Sequence, residues 1–202
     1  MAVGDKQRLI IDVMQEVLQE PAQTNISFKW LNNKHLPEDF GIHYNTIEKI
    51  FDALNGDKMG MDNKGERVLK PDCYFGGKYN FIFEFDELQH FTTYKKTVLL
   101  NYPTDLKYGF DIEQYKKHCD DYSKEALKKG PAGYRKPKEE FPFENGRAAQ
   151  RAFFDSFRDI LPTLHGLNTT LRISEFEVKQ IIISNDSAKQ LIKDILINRG
   201  VL

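Results

Sequence analysis

Two short apolar segments, separated by a glycine pair, constrain the fold of this 202-residue chain more than any other feature. The second segment, Phe81–Asp86, has phenylalanine at each odd position and includes Glu84 and Asp86 at even positions. Because successive side chains of a β-strand point to opposite faces of a sheet, this segment would present one apolar face and one acidic face. Gly76-Gly77 in front of it predicts a hairpin with the strand that ends at Phe75.

The register of the hairpin decides whether its acidic residues meet. A three-residue loop pairs Phe75 with Tyr79 and places Asp72 one diagonal step from Glu84. A two-residue loop would put Asp72 on the phenylalanine face instead. Because a sheet selects the register that separates its polar and apolar faces, we expect the three-residue loop, with Asp72, Glu84 and Asp86 as neighbours.

Carboxylates among buried aromatic residues are costly unless a cation neutralises them. Hard divalent cations such as Mg²⁺ or Mn²⁺ favour carboxylate oxygens as ligands. The pattern therefore indicates a metal site on the acidic face of the hairpin. It also fits a simpler arrangement, in which an exposed sheet face carries acids without any ion.

Composition sets broad limits on the class of protein. Hydrophobic residues make up 40% of the chain and charged residues 29%, which is typical of one globular domain. The net charge of −1 argues against a purely electrostatic DNA binder. No apolar run is long enough to span a membrane. The first residues lack the layout of a signal peptide, and the only cysteines are Cys73 and Cys119, so we expect a cytoplasmic protein.

The hydrophobic periodicity predicts both helices and strands, and hence an α/β fold. Besides the hairpin, strands are expected at 96–101 and 167–174, and a loop at 59–67. Helices are expected at 5–19, 44–54, 111–129, 146–161 and 187–198. We interpret the chain as one domain in four parts: an N-terminal helical extension (1–43), a hairpin half of the core (44–101), an insertion (102–145) and a second half with the last helix (146–202).

Two sequence blocks resemble a known family. Glu84–Phe91 is similar to an E-x-D-G-x-Q-H-F signature, and Pro71-Asp72 precedes it at the separation of a hairpin. Residues 154–159 and 166–173 are similar to a "D-x-x-R-D … G-(hydrophobic) … L-R-I" helix and strand. Together these blocks resemble the PD-(D/E)XK restriction-endonuclease-like superfamily, in the branch of the very-short-patch-repair endonucleases. The resemblance covers roughly residues 44–102 and 146–178. It departs at Asp86, where most members carry lysine, and at Glu87, where the branch carries glycine.

The resemblance implies a restriction-endonuclease-like core of order αβββαβ, with a mixed central sheet flanked by helices and 102–145 as an inserted helical and loop segment. It implies a Mg²⁺-dependent (or Mn²⁺-dependent) endonuclease that hydrolyses phosphodiester bonds in DNA, in restriction, phage defence or repair. The metal ligands would be Asp72, Glu84, Asp86 and the Phe85 carbonyl. Gln89 and His90, which leave the strand end beside them, would contact the phosphate or move a proton.

Basic side chains downstream of the hairpin are candidate phosphate contacts. They cluster in a glycine- and proline-containing loop and at the start of the following helix, and such groups position a nucleic-acid backbone without reading its sequence. The expected nucleic-acid-binding residues are Lys95, Lys129, Arg135, Lys136, Arg147 and Arg151. By contrast, we expect Arg158 and Asp159 to form a structural ion pair.

Two other functions stay open. Asp86 in the lysine position would also suit a catalytically silent subunit that binds nucleic acid or assists assembly. A nuclease acting on RNA or branched DNA would need the same chemistry. Cleavage of both strands by one small site would suggest a homodimer, and no membrane partner is expected.

Overall fold

A four-stranded mixed sheet forms the centre of the protein in a computed structural model that describes residues 4–129, 132–179 and 185–202. Strand β2 pairs antiparallel with both β1 and β3, and β4 lies parallel to β3 at one edge of the sheet. The strands are β1 (Ala22–Gln23), β2 (Cys73–Phe75), β3 (Phe81–Asp86) and β4 (Leu171–Ser174), and they occur in that order across the sheet.

Helices cover both faces of this sheet. The helices are α1 (Asp5–Leu18), α2 (Pro37–Phe40), α3 (Tyr44–Ala53), α4 (Lys58–Asn63), α5 (Thr93–Leu99), α6 (Ile112–Lys129), α7 (Gly146–Leu164) and α8 (Asn185–Asn198). Short 3-10 turns occupy Gly41–His43, Leu88–His90 and Ala132–Arg135. The predicted α/β class, with a mixed sheet flanked by helices, is therefore confirmed. None of the helices in the described ranges has the length and apolar character needed to cross a bilayer.

The alternating pattern of β3 divides the core into two parts, as predicted. Phe81, Phe83 and Phe85 pack with α1 and α8 on one face of the sheet. Ile82 packs on the opposite face, in the larger cluster that contains the aromatic side of α7. Two chemically different faces therefore come from one six-residue strand.

The predicted register of the hairpin is wrong by two residues. Phe75 pairs with Phe81, so the loop comprises the five residues 76–80 rather than three. Gly77 and Asn80 adopt positive φ angles of 56° and 47°, and the amides of Tyr79 and Asn80 both donate to the Gly76 carbonyl. Because the error is an even number of residues, every side chain keeps its predicted face.

The corrected register changes which acidic residue lies opposite which. Cys73 pairs with Phe83, so one step further along the strands Asp72 lies beside Glu84 rather than Ile82. The longer loop thus brings the Asp72 and Glu84 carboxylates closer together than the predicted register would.

Two segments differ from their predicted structure. The expected strand at 96–101 is the end of helix α5, which begins after Thr92; the Thr92 side chain caps the helix by accepting from the Lys95 amide. The expected loop at 59–67 begins with helix α4, which Asp57 caps in the same way. In both cases a side-chain cap satisfies the first free amides and favours the helix. The third antiparallel strand comes instead from the N-terminal segment, as β1.

Gly109 gives a test of the packing beside β4. It forms a parallel bridge with Leu171, and a Cβ there would lie 2.4 Å from the Thr170 carbonyl oxygen. We therefore expect Gly109→Ala to lower the free energy of unfolding by about 1–3 kcal/mol, measured by urea denaturation. Gly65→Ala is the matched control, because a Cβ at Gly65 meets no atom within 4 Å. Equal losses in the two variants would contradict this close approach.

Candidate active site

A cavity of about 180 Å³ lies between the β2–β3 hairpin and helix α7. Its walls combine acidic residues with a larger number of basic ones. The lining residues are Arg67, Leu69, Lys70, Asp72, Glu84, Phe85, His90, Arg147, Arg151, Phe154, Asp155 and Arg158. The cavity therefore has five Lys or Arg side chains and three carboxylates, and it suits an anionic ligand together with a cation.

Helix α7 supplies four of these charged side chains. Arg147, Arg151, Asp155 and Arg158 are spaced by four, four and three residues, and an α-helix places that spacing on one face. The opposite face of α7 carries Phe153 and Phe157 into the core. The helix is thus fixed by apolar packing while its charged face forms one wall of the cavity.

Asp72 and Glu84 form the acidic wall on the hairpin. Asp72 Oδ2 accepts a hydrogen bond of 2.8 Å from the Phe85 amide. Burial raises the pKa of Asp72 above its ordinary value, although this hydrogen bond and the charges of His90 and Arg158 act in the opposite direction. The Asp72 carboxylate is therefore oriented by the backbone of the neighbouring strand.

Glu84 is the more strongly perturbed of the two acids. Burial raises its pKa to about 8, and the nearby Arg158 offsets only part of that effect. Arg158 Nε lies 3.1 Å from Glu84 Oε1, yet the geometry gives neither atom a hydrogen-bond partner among the described residues. A buried carboxylate oxygen without a hydrogen bond is costly, so Glu84 is poised to bind a ligand that carries positive charge.

Asp86 lies behind the cavity and belongs to a buried ion-pair network. Arg172 Nη1 donates to both of its oxygens at 2.9 and 3.0 Å, and the Tyr115 hydroxyl donates to Oδ2 at 3.1 Å. Burial alone would raise the pKa of Asp86, but Arg172, His90 and Lys95 together hold it below its ordinary value. The oxygens of Asp86 already accept these hydrogen bonds, and the residue does not line the cavity.

The network extends to α7 through two further carboxylates. Arg172 Nε donates to Asp159 Oδ1 at 2.6 Å, and Lys95 Nζ lies 3.5 Å from Asp159 and 3.7 Å from Asp155. Asp159 therefore pairs with Arg172 on β4, whereas Arg158 turns toward Glu84; the predicted Arg158–Asp159 ion pair is wrong. Helix α7, β3 and β4 are joined by charges that have almost no contact with water.

His90 connects the network to the cavity. Its Nδ1 lies 2.9 Å from Asp86 and 3.3 Å from Asp155, and its Nε2 lies 3.1 Å from Arg151 Nη1. A guanidinium only donates hydrogen bonds, so the neutral ring accepts at Nε2 and carries its proton on Nδ1. Burial and Arg151 lower the pKa of His90, but the two carboxylates outweigh them and raise it above the ordinary value.

The cavity contains only some of the residues predicted for the site. Asp72, Glu84, Phe85, His90, Arg147 and Arg151 line it, whereas Asp86 lies behind it. Gln89 does not line this cavity. Its side-chain amide donates to Glu87 at 2.9 Å. Phe85 donates to Asp72 Oδ2 through its backbone amide at 2.8 Å.

The predicted nucleic-acid contacts also divide into groups. Lys95 is 1% exposed and pairs with buried carboxylates, so the expected phosphate contact is wrong for this residue. Arg135 and Lys136 are exposed beyond the cavity, while the side chain of Lys129 falls outside the described residues. Arg147 and Arg151 reach the cavity, and Arg151 also stacks on Tyr134, with Arg151 Cζ 4.9 Å from the ring centre.

Four charged cavity residues were not among the predicted site residues: Arg67, Lys70, Asp155 and Arg158. Asp155 and Arg158 could have been found from their helical spacing with Arg147 and Arg151. Arg67 lies in an irregular segment before β2, where no periodic pattern indicates its direction.

Part of the chain matches a family model. Residues 49–141 match the model of a family described as a family of unknown function, DUF7255. The matched segment contains Asp72, Glu84 and His90, and it ends before the charged face of α7. No curated protein and no solved structure shows a significant match to the chain.

Proposed function

We propose that this cavity is the active site of a metal-dependent endonuclease that hydrolyses phosphodiester bonds in DNA. The observation that carries the proposal is the meeting, in one cavity, of the half-buried Asp72 and the buried Glu84 with five Lys or Arg side chains. The carboxylates would bind a divalent cation, and the basic side chains would bind the phosphate. We place this activity in restriction, phage defence or repair, as the sequence resemblance implies.

The donor set of the hairpin fits Mg²⁺ or Mn²⁺. Asp72 and Glu84 offer carboxylate oxygens on adjacent strands, and Glu84 Oε1 is buried without a hydrogen-bond donor. Hard cations prefer such oxygens, and in a small site they keep several waters. When bound, the cation supplies charge stabilisation at the phosphoryl oxygen and lowers the pKa of a bound water.

A second group of potential ligands lies deeper. Single ligand atoms of Asp86, His90 and Asp155 lie within 4.8 Å of one another. Arg172 and Lys95 already approach these carboxylates and would repel an added cation. For this reason we assign the metal to Asp72 and Glu84, and we leave Asp86 out of the ligand set.

The remaining residues have separate tasks. Arg147 and Arg151 on α7 lie where they can neutralise a nucleic-acid backbone at the cavity. His90 holds a proton on Nδ1 between two carboxylates and presents Nε2 to Arg151. It can therefore accept a proton at Nε2 if Arg151 moves to the phosphate. The buried network behind His90 fixes the orientation of the ring.

The topology gives further support. If α2–α6 are treated as insertions, the remaining elements up to β4, which are α1, β1, β2, β3, α7 and β4, have the αβββαβ order that the resemblance implies, with β1 as the first strand. Of the two proposed metal ligands, Asp72 immediately precedes β2 and Glu84 lies within β3. This support concerns the fold, and function depends on the site.

A catalytically silent nucleic-acid-binding subunit is the second candidate. The observation that favours it is the state of Asp86, which occupies the lysine position of the resemblance and is bound by Arg172. Such a protein would keep the basic cavity but lack turnover.

A cleavage assay on supercoiled plasmid, single-stranded DNA, branched DNA and RNA tests these alternatives. We expect Mg²⁺- or Mn²⁺-dependent cleavage of DNA that EDTA abolishes and Asp72→Asn reduces by at least about 10²-fold. Asp121→Asn, a surface substitution on α6, is the control with unchanged activity. Binding without cleavage on every substrate would favour the silent subunit, and cleavage restricted to RNA or branched DNA would change the substrate class.

A further inference from the structure

We propose that Arg158 is the phosphate-binding residue nearest the metal site, and that it holds a nonbridging phosphate oxygen beside Glu84. This inference rests on the proposed function, because it assigns a task within the same site. It also differs from the structural ion pair expected from sequence.

Two backbone carbonyls fix the guanidinium of Arg158 in place. Its Nη1 donates to the Phe154 carbonyl at 3.3 Å, and its Nη2 donates to the Lys70 carbonyl at 3.2 Å. In addition, Asp155 Oδ1 lies 3.5 Å from Nη1. The group is thus held from helix α7 on one side and from the segment before β2 on the other. A guanidinium positioned in advance loses little conformational freedom when it binds an anion.

The Nε edge of the same guanidinium faces Glu84. Nε lies 3.1 Å from Glu84 Oε1 as an ion pair, but both atoms are buried and neither has a hydrogen-bond partner among the described residues. A purely structural pair in this position would normally be hydrogen-bonded, because buried polar groups rarely stay unsatisfied. A metal on Glu84 and a phosphate oxygen on Arg158 would give each atom a partner once the two side chains separate from this 3.1 Å contact.

The other cations near the site have different partners. Arg151 contacts His90 and Tyr134, and Arg147 contacts Gln150. Arg172 and Lys95 are fully engaged with buried carboxylates behind the cavity. Arg67 and Lys70 also line the cavity, but the ion pair with Glu84 that the described residues show is that of Arg158, 3.1 Å from Nε to Oε1. Arg158 thus places a positive charge from α7 beside Glu84. The resemblance would place a lysine on β3 for this purpose, where this chain has Asp86.

Inorganic phosphate without metal is the direct probe of Arg158. We expect phosphate to bind the wild type and to raise its melting temperature, and we expect Arg158→Gln to weaken binding about tenfold to a hundredfold, as for loss of a hydrogen bond to a charged group. Arg158→Lys should lose less, because it keeps the charge but not the planar geometry. Arg8→Gln, an exposed change of equal charge on α1, should bind phosphate as the wild type does.

The same variants in cleavage and metal titrations separate this inference from the proposed function. Arg158→Gln should lower kcat by at least about tenfold to a hundredfold while it binds Mn²⁺ with nearly unchanged affinity. If Arg158→Gln loses phosphate binding while the wild type binds phosphate but cleaves nothing, Arg158 is upheld and the nuclease is rejected. Cleavage and phosphate binding that survive in Arg158→Gln would reject Arg158 alone. If Arg158→Gln does not fold, the phosphate affinity of Arg158→Lys is the test. An Arg158→Lys protein that binds phosphate as tightly as the wild type would overturn the inference.

Discussion

Replacing Glu84 with glutamine should abolish metal-dependent cleavage and, in the same protein, stabilise the fold at alkaline pH. Glutamine keeps the shape of the side chain but cannot carry the charge that binds the cation. Loss of several kcal/mol of transition-state stabilisation corresponds to at least about 10³-fold in rate. Few substitutions in an inactive or purely structural cluster would change activity and stability in opposite directions.

The stability effect follows from the raised pKa of Glu84. Its ordinary value is 4.5, and in the folded protein the pKa is about 8. The folded state therefore binds a proton that the unfolded state has released between these values, so stability falls as the pH rises through this window. From pH 6 to pH 9 the wild type should lose about 3 kcal/mol through this group. Glu84→Gln removes that dependence.

Urea denaturation at pH 6 and pH 9, without divalent metal, measures the effect. The control is Glu113→Gln, because the Glu113 side chain is 82% exposed and its removal should leave the pH dependence unchanged. A Glu84→Gln protein that keeps the wild-type pH dependence would show that Glu84 is ionised in the folded state at neutral pH. A variant that keeps wild-type cleavage would remove Glu84 from the mechanism.

Replacing Arg172 with methionine should cause the largest loss of stability. Arg172 is fully buried and donates to Asp86 and Asp159, while its Nη2 donates to the Asp155 carbonyl. Methionine would leave these carboxylates with the Lys95 ammonium and the N–H of His90 as the remaining nearby donors. Removing one partner of a buried ion pair typically costs about 3–5 kcal/mol. We expect a loss of that size at pH 7 in urea denaturation.

The loss should shrink in acid. Without Arg172 the buried carboxyl groups gain a pKa above the unfolded value, so the variant takes up protons as the pH falls and recovers part of its stability near pH 5. Arg172→Lys, which keeps the charge, should lose less at pH 7. Arg8→Met on the exposed side of α1 is the control, with a change within about 0.5 kcal/mol. If Arg172→Met changes the free energy of unfolding as little as Arg8→Met does, the network contributes little to the stability of the fold.

Local patterns predicted much of the fold. The alternation of Phe81–Asp86 predicted the two faces of β3, because a strand has a fixed period of two. The apolar spacing at both ends of the chain predicted α1, α7 and α8 within a few residues. The predicted hairpin register was wrong by two residues, but every side chain was assigned to the correct face. The pattern of polar and apolar faces excludes only errors of an odd number of residues.

Long-range contacts set the limits of such prediction. The partner of Asp86 is Arg172, which lies 86 residues further along the chain, and no local pattern indicates that pair. The burial of Lys95 depends on a helix where a strand was expected and on α7 packing above it. Sequence therefore predicted Asp72 and Glu84 as neighbours, but it could not show that Asp86 and Lys95 belong to a separate buried network.

Calorimetric titration of the wild type with Mn²⁺ at pH 6 and pH 8.5 tests the central claim most directly. We predict one binding site, with tighter binding at pH 8.5 because Glu84 must lose its proton to bind the metal. Binding should vanish in Glu84→Gln and persist in Glu113→Gln. If the wild type binds no Mn²⁺ at either pH, or if Glu84→Gln binds it equally well, Asp72 and Glu84 do not form a metal site.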